Sequence, residues 1–287
     1  MAGKGKKLLH CAAPEAARRY LEKLIHEADE AAGRLYDPDD SEALHDFRVA
    51  IRRSRSWLKA FNDYVGINTK EMHRLRTLAR RTNSARDAEI GLMWLERLGE
   101  GSYVAKQLAA FEERRDAAYV EIRDLIESEW PKLSPKLVAE AEEGQSDRHR
   151  DGPSFAGIML EQATTAHSNL AASLEHVRSV ADIEAAHRAR IAAKRLRYLL
   201  EPFRDVAEEV DDAVGLLKQA QDDLGDLHDL HVLIESLPSG RGSKGLENRI
   251  EAEMQKLFKT IRHRYLGTTG SEILERLGNA VASLNAD

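Results

Sequence analysis

A block of basic residues occurs twice in this chain, 142 residues apart, and that spacing limits the folds open to it. His45-Asp-Phe-Arg48-Val-Ala-Ile-Arg52-Arg53-Ser-Arg55 aligns with His187-Arg-Ala-Arg190-Ile-Ala-Ala-Lys194-Arg195-Leu-Arg197. Over 45–61 against 187–203, seven of seventeen positions are identical, Leu58/Leu200 and Phe61/Phe203 among them. The same offset pairs Asp40 with Asp182, Glu42 with Glu184 and Asp87 with Asp229. Chance rarely keeps one offset across an arginine motif and a downstream aspartate. The period is far longer than the roughly 20–50 residues of solenoid repeats. The expectation is an all-α protein built from a duplicated bundle of about four helices per half.

Apolar residues recur at helical spacing, interrupted by breakers at Asp37–Asp40, Gly66–Thr69, Gly99–Gly101 and Pro131–Pro135. Helices are expected near 14–34, 41–63, 69–97, 103–129, 154–177, 183–207, 209–235, 246–266 and 271–284. Residues 1–143 then form the first half, 144–153 (GQSDRHRDGP) a linker, and 154–287 the second half of one domain. Pro238–Gly245 reads as an exposed, mobile loop carrying Arg241 and Lys244. Asp40 and Asp182 are expected N-caps, with Glu42 and Glu184 in the first turns.

Composition narrows the class further. A 42% apolar content suffices for a sizeable core, yet no run approaches the ~18 apolar residues of a membrane span. The basic tip at Lys4, Lys6 and Lys7 is followed by no apolar region of signal-peptide length, and the single cysteine, Cys11, excludes a disulfide scaffold. The expected compartment is the cytoplasm.

The net charge of −6 conceals a segregation. His45 to Arg86 holds eleven Lys/Arg against three Asp/Glu, and His187 to Arg204 holds six against one. Two concentrated basic segments in an otherwise acidic chain point to a local anion site. At about 100° per residue, His45, Arg48, Arg52, Arg55 and Lys59 fall on one helix edge beside the apolar Phe47, Ile51, Leu58 and Phe61. His187, Arg190, Lys194 and Arg197 repeat that edge, with Glu201 where Lys59 stands, so the copies are not equivalent. Arg53 and Arg195 adjoin the rows.

His73, Arg76 and Arg80, with Lys70, Arg74 and Arg81, extend the first site along the following helix. The second half offers Lys218, and later Lys256, Lys259, Arg262, His263 and Arg264. Guanidinium groups match phosphate oxygens and keep their charge at neutral pH, so such rows suit a linear phosphate polymer. An arginine-rich helix is ordinarily a solvated face; repetition of the row inside an acidic protein argues otherwise.

The strings HDFRVAIRRSRSWLKAF and HRARIAAKRLRYLLEPF, followed by ARDAEIGL and LHDLHVLI, resemble the paired signature blocks of CHAD domains, the conserved histidine α-helical family. The resemblance covers nearly the whole chain. It implies two four-helix bundles related by a pseudo-twofold axis around a basic central cavity that binds inorganic polyphosphate without catalysis or cofactor. The implied contacts are His45, Arg48, Arg52, Arg55, His187, Arg190, Lys194 and Arg197. Glu201 and Asp222 depart from the basic pattern and weaken the second half. Relatives that carry a triphosphatase domain have a Glu-x-Glu-x-Lys strand; Glu251-Ala-Glu253-Met-Gln255 lacks the lysine, so a stand-alone domain is expected, with granule association possible for it.

Rival chemistries have weaker signals. Glu42-x-x-His45 and Glu184-x-x-His187 match the spacing of di-metal bundles, and His228-Asp229 resembles a metal phosphohydrolase dyad. Arg48 and Arg52 on the same face repel a dication. Nucleic-acid backbone binding would use the same arginines, but Tyr198 is the one aromatic expected near the second row. Asp87 and Asp229 are expected to orient arginines or cap turns, and no nucleophile has an identifiable base. The two row-leading histidines are expected to have lowered pKa values beside arginines, and to make anion binding tighten from about pH 8 to about pH 6.

Overall fold

The computed structural model describes residues 4–37, 40, 42–143 and 154–285. The proposed linker, 144–153, lies outside the described residues. Those described are helical almost throughout, with no strand beyond one isolated bridge between Ala12 and Ser154. In chain order the helices are α1 (Lys4–Leu9), α2 (Ala13–Arg34), α3 (Ala43–Val65), α4 (Thr69–Arg81), α5 (Asn83–Leu98) and α6 (Ser102–Glu143). There follow α7 (Phe155–Leu174), α8 (Ile183–Leu200), α9 (Glu208–Ser236), α10 (Ser243–Tyr265) and α11 (Gly267–Ala282).

Two compact units emerge. The N-terminal unit comprises Lys7–Arg86 and Asp116–Ile158; the C-terminal unit comprises Met1–Lys6, Asp87–Arg115 and Met159–Asp287. Asp87–Arg115, assigned to the first half by sequence, thus clusters with the C-terminal residues.

In the N-terminal unit α2 packs along α3. The inner face of α2 is rich in alanine (Ala13, Ala16, Ala17, Ala28, Ala31), which lets α3 approach closely with its large side chains. Trp57 fills the gap: its ring lies 4.5 Å from Tyr20 and 4.2 Å from Phe61, and its Nε1 donates to Ala17 O at 2.8 Å. Phe155 closes the cluster 5.4 Å from Phe61. These buried rings fix which edge of α3 faces outward. Gly66, at φ 87°, ends α3 in the left-handed conformation that glycine adopts without a Cβ penalty.

The C-terminal unit is centred on α9, which packs against α8, α10 and α11. The inner face of α8 is also alanine-rich (Ala185, Ala186, Ala189, Ala192, Ala193), with Leu196, Leu199 and Leu200 below it. Phe111 from α6 fills the place a side chain at Gly91 of α5 would occupy.

Several sequence expectations are corrected. Pro131–Pro135 does not break the chain, because α6 runs through both prolines to Glu143. Proline in a helix interior costs about 3 kcal/mol or more. Here buried Trp130, Leu133 and Leu137 hold the segment, and Asp29 accepts from Trp130 Nε1 at 2.7 Å and Ser134 Oγ at 2.8 Å. Conversely, 69–97 is not one helix: it breaks at Thr82, whose Oγ1 donates to Ala79 O at 2.9 Å. The segment 183–207 leaves α-helix at Leu200, where Pro202 enters a 3-10 turn over Glu201–Phe203. Lys244 is not in a loop but in the first turn of α10, 3.5 Å from Glu247.

Candidate anion-binding site

The start of α3 is set by Asp40, whose Oδ1 accepts from the Glu42 and Ala43 amides at 3.0 Å each. Asp182 does not do the same for α8. Its Oδ2 turns back to the Arg178 and Ser179 amides at 3.0 and 2.7 Å. Both helices nevertheless present their basic edge as the periodicity requires.

On α3, His45 and Lys59 are exposed, Arg52 and Arg55 are half-buried, and Arg48 is only 7% exposed. Arg48 Nη2 reaches Asn83 Oδ1 at the start of α5, a long contact of 3.4 Å. Arg52 Nε is buried without a hydrogen-bond partner. Burial, and then the like charge of Arg76 on α4, hold the Arg55 pKa below the usual guanidinium value. Arg76 is therefore a neighbour of the α3 row, and exposed His73 and Arg80 lie one turn to either side of it.

The basic residues of this unit divide by partner. Arg53 lies 3.7 Å from Glu27, Arg74 bonds Glu71 at 2.8 Å and Glu129 at 3.3 Å, and Arg81 bonds Glu121 at 2.5 Å. Among the described residues no carboxylate oxygen comes within 4.0 Å of Arg52, Arg55, Arg76 or Arg80. Arg53 thus leaves the row, as its helical angle requires. These four arginines, without acid partners among the described residues, lie on adjoining helices.

In the C-terminal unit α8 crosses α9 with His187 against His228, ring centroids 4.4 Å apart, and Arg190 against Gly225. A side chain at 225 would begin 3.2 Å from Arg190 Nε, so glycine is what lets the guanidinium lie on the α9 backbone. Shifting the N-terminal pairs Arg48/Asn83 and Arg55/Arg76 by 142 residues gives Arg190/Gly225 and Arg197/Lys218. The first is the contact observed, and Lys218 and Arg197 act together on the carboxyl of Asp222. The two helix pairs therefore cross in the same register.

Their companions differ. Arg80 corresponds to Asp222 and Ser84 to Asp226. Burial pushes both carboxyls above their usual range, with Lys218, Arg197 and Arg190 opposing the shift at Asp222. The Nε atoms of Arg190, Arg195 and Arg197 are buried without hydrogen-bond partners. Arg195, like Arg53, lies off the row by its helical angle. Lys194 is half-buried on the row.

His187 has the expected lowered pKa, but burial is the larger cause, ahead of Arg190 and Lys194. His228, placed by sequence only in a dyad with Asp229, is its stacked neighbour. Burial, then His187 and Arg190, bring its pKa down to about 4. Both rings are thus disfavoured as imidazolium in the folded chain. His45, exposed on α3, has a different setting from its counterpart.

Other candidates fall elsewhere. Arg264 bonds Asp223 at 2.8 Å beside Tyr265, which gives the same carboxylate 2.6 Å, so it is no contributor of unpaired charge. Lys256 pairs with Glu253 at 3.2 Å, while Lys259, Arg262 and His263 are exposed on α10. Tyr198 is buried, with the Arg197 guanidinium over its ring at 4.7 Å, and is not a platform for a base. Glu184 lies 3.8 Å from Arg188, and among the described residues no three His, Cys, Asp or Glu converge as metal ligands. Asp87 is exposed on α5 and Asp229 half-buried on α9.

The sequence matches the CHAD domain family over residues 15–238. The chain belongs to the CHAD domain family. The match includes both basic rows and ends before α10 begins. A crystal structure of the CHAD domain from the plant Ricinus communis is similar in fold, with a TM-score of 0.72 and 21% identity, covering 100% of this chain and 95% of that one. No curated protein sequence matches at a significant level. Among the described residues of this CHAD domain, no helix is long and apolar enough to cross a membrane.

Proposed function

We propose that this CHAD domain binds inorganic polyphosphate and does so without catalysis, in the cytoplasm or at polyphosphate granules. The observation that carries this reading is the α3–α4 cluster: Arg52, Arg55, Arg76 and Arg80 on adjoining helices, with no carboxylate within 4.0 Å among the described residues. Cations held together without acids repel, and a buried guanidinium nitrogen without an acceptor costs about 1–3 kcal/mol. A chain of phosphates relieves both at once, offering oxygens to several guanidiniums along the helix edges. The finer architecture, a duplicated bundle about a pseudo-twofold axis with a basic central cavity, belongs to the same proposal. The 142-residue offset and the shared register of the α3/α4–α5 and α8/α9 crossings support it.

The test is a titration with polyphosphates of defined length beside ATP, single-stranded DNA and divalent metal ions, repeated over salt concentration. Long polyphosphate should bind tightest, and log K should fall linearly with log salt as counterions are released. An affinity flat between low and physiological salt, or stronger binding of single-stranded DNA, would overturn the reading.

A further inference from the structure

The α8–α9 face holds a contradiction that the anion-binding reading does not absorb. Arg190 and Arg197 have buried, unpartnered Nε atoms, as a phosphate site would require. Yet the neighbouring helix carries Asp222 and Asp226 where the N-terminal copy has Arg80 and Ser84. Neither aspartate forms an ion pair within 4.0 Å among the described residues, so the carboxylates do not neutralise the arginines by direct contact. Asp223, between them, is committed to Arg264 and Tyr265 on α10.

We infer that Asp222 is the specificity-determining residue of this face, its ionised carboxylate repelling the polyphosphate that Arg190 and Arg197 attract, so that anion and proton bind together. The inference rests on the proposed polyphosphate reading and adds a constraint to it. A phosphate oxygen reaching Arg197 enters the field of Asp222, and like charges close together repel even where, as at exposed Asp222, solvent screens them in part. Protonation removes that repulsion and leaves a carboxylic acid able to donate a hydrogen bond to the anion.

The surroundings favour this protonation over the alternatives. Burial already pushes Asp222 above the ordinary carboxylate range, and Asp223 adds to the shift while Lys218, Arg197 and Arg190 resist it. A bound polyanion would offset those three cations. Asp226 is pushed the same way, by burial and then by Asp222, with Arg97 on α5 and Arg190 opposing. On α8, Lys194 acts on His187, and on α9 His228 and His231 follow Asp222 by six and nine residues. Burial thus acts oppositely on the two kinds of group, lowering the rings of His187 and His228 and raising the carboxyls of Asp222 and Asp226.

The experiment is calorimetric titration of the full chain with long-chain inorganic polyphosphate in two buffers of different ionisation enthalpy. It covers about pH 7.5 to about pH 5, above the ordinary carboxylate range. Wild type should take up protons on binding and bind more tightly as pH falls. Asp222→Asn should remove most of that uptake and tighten binding by about fivefold or more at the neutral end; Asp222→Ala, with a different fold risk, should do the same. His228→Gln should leave the uptake in place. Unchanged affinity and uptake in both Asp222 variants, with Arg197→Ala weakening binding, would overturn the inference and leave the polyphosphate reading standing. Uptake lost in His228→Gln but kept in Asp222→Asn would overturn it in favour of the imidazoles. Absence of binding by the wild-type chain would remove the polyphosphate reading itself.

Discussion

The α3–α4 face and the α8–α9 face are built on the same register and carry opposite companions. In the first, the arginines of α3 face more arginines on α4. In the second, the arginines of α8 lie above Asp222 and Asp226. The difference shows that a repeated cation row does not by itself define a repeated site. The helix edge supplies the cations, and the helix packed beside it decides whether their field adds or cancels.

The largest expected effect tests that asymmetry directly. Arg52→Ala with Arg55→Ala should weaken long-chain polyphosphate binding at neutral pH by about a hundredfold or more, taking ~1.5 kcal/mol, the low end for a charge-assisted contact, for each. Arg190→Ala with Arg197→Ala should cost distinctly less, because Asp222 already opposes that half. Equal losses in the two double variants, measured by titration calorimetry, would break the comparison.

A smaller effect comes from transferring the companion. Arg80→Asp gives α4 the residue that α9 carries at the matching position. It should lower affinity by about tenfold at neutral pH, one charge-assisted contact, and add a carboxylate-linked pH dependence to the N-terminal face. A pH profile unchanged from the wild type in this variant would mean that the carboxylate's setting on α9, and not its charge, makes the difference.

The smallest expected effect is on stability. His228 titrates near 4 in the folded chain and near 6.5 when unfolded. Below pH 6.5 the unfolded state therefore gains a proton that the folded state refuses, so stability is lost as pH falls toward 4. His187 acts in the same direction. His228→Gln should make the fall of melting temperature over that interval shallower. A slope as steep in His228→Gln as in the wild type would remove this contribution.

Much of this was legible in the chain itself, because helical periodicity is local. Three- and four-residue spacing places His45, Arg48, Arg52, Arg55 and Lys59 on one edge of α3 whatever surrounds it, and the 142-residue offset carries the arrangement to α8. Tertiary structure decided the rest, since partners distant in sequence set each side chain's electrostatic state. Glu129 and Glu121 pair with Arg74 and Arg81, and neither partner can be read from the local spacing of those arginines. The His187–His228 stack arises where two helices cross. The passage of α6 through Pro131 and Pro135 likewise depends on Asp29, about a hundred residues away, and on buried Trp130, Leu133 and Leu137. Local pattern fixed where the cations sit; packing fixed which of them keep an uncompensated charge.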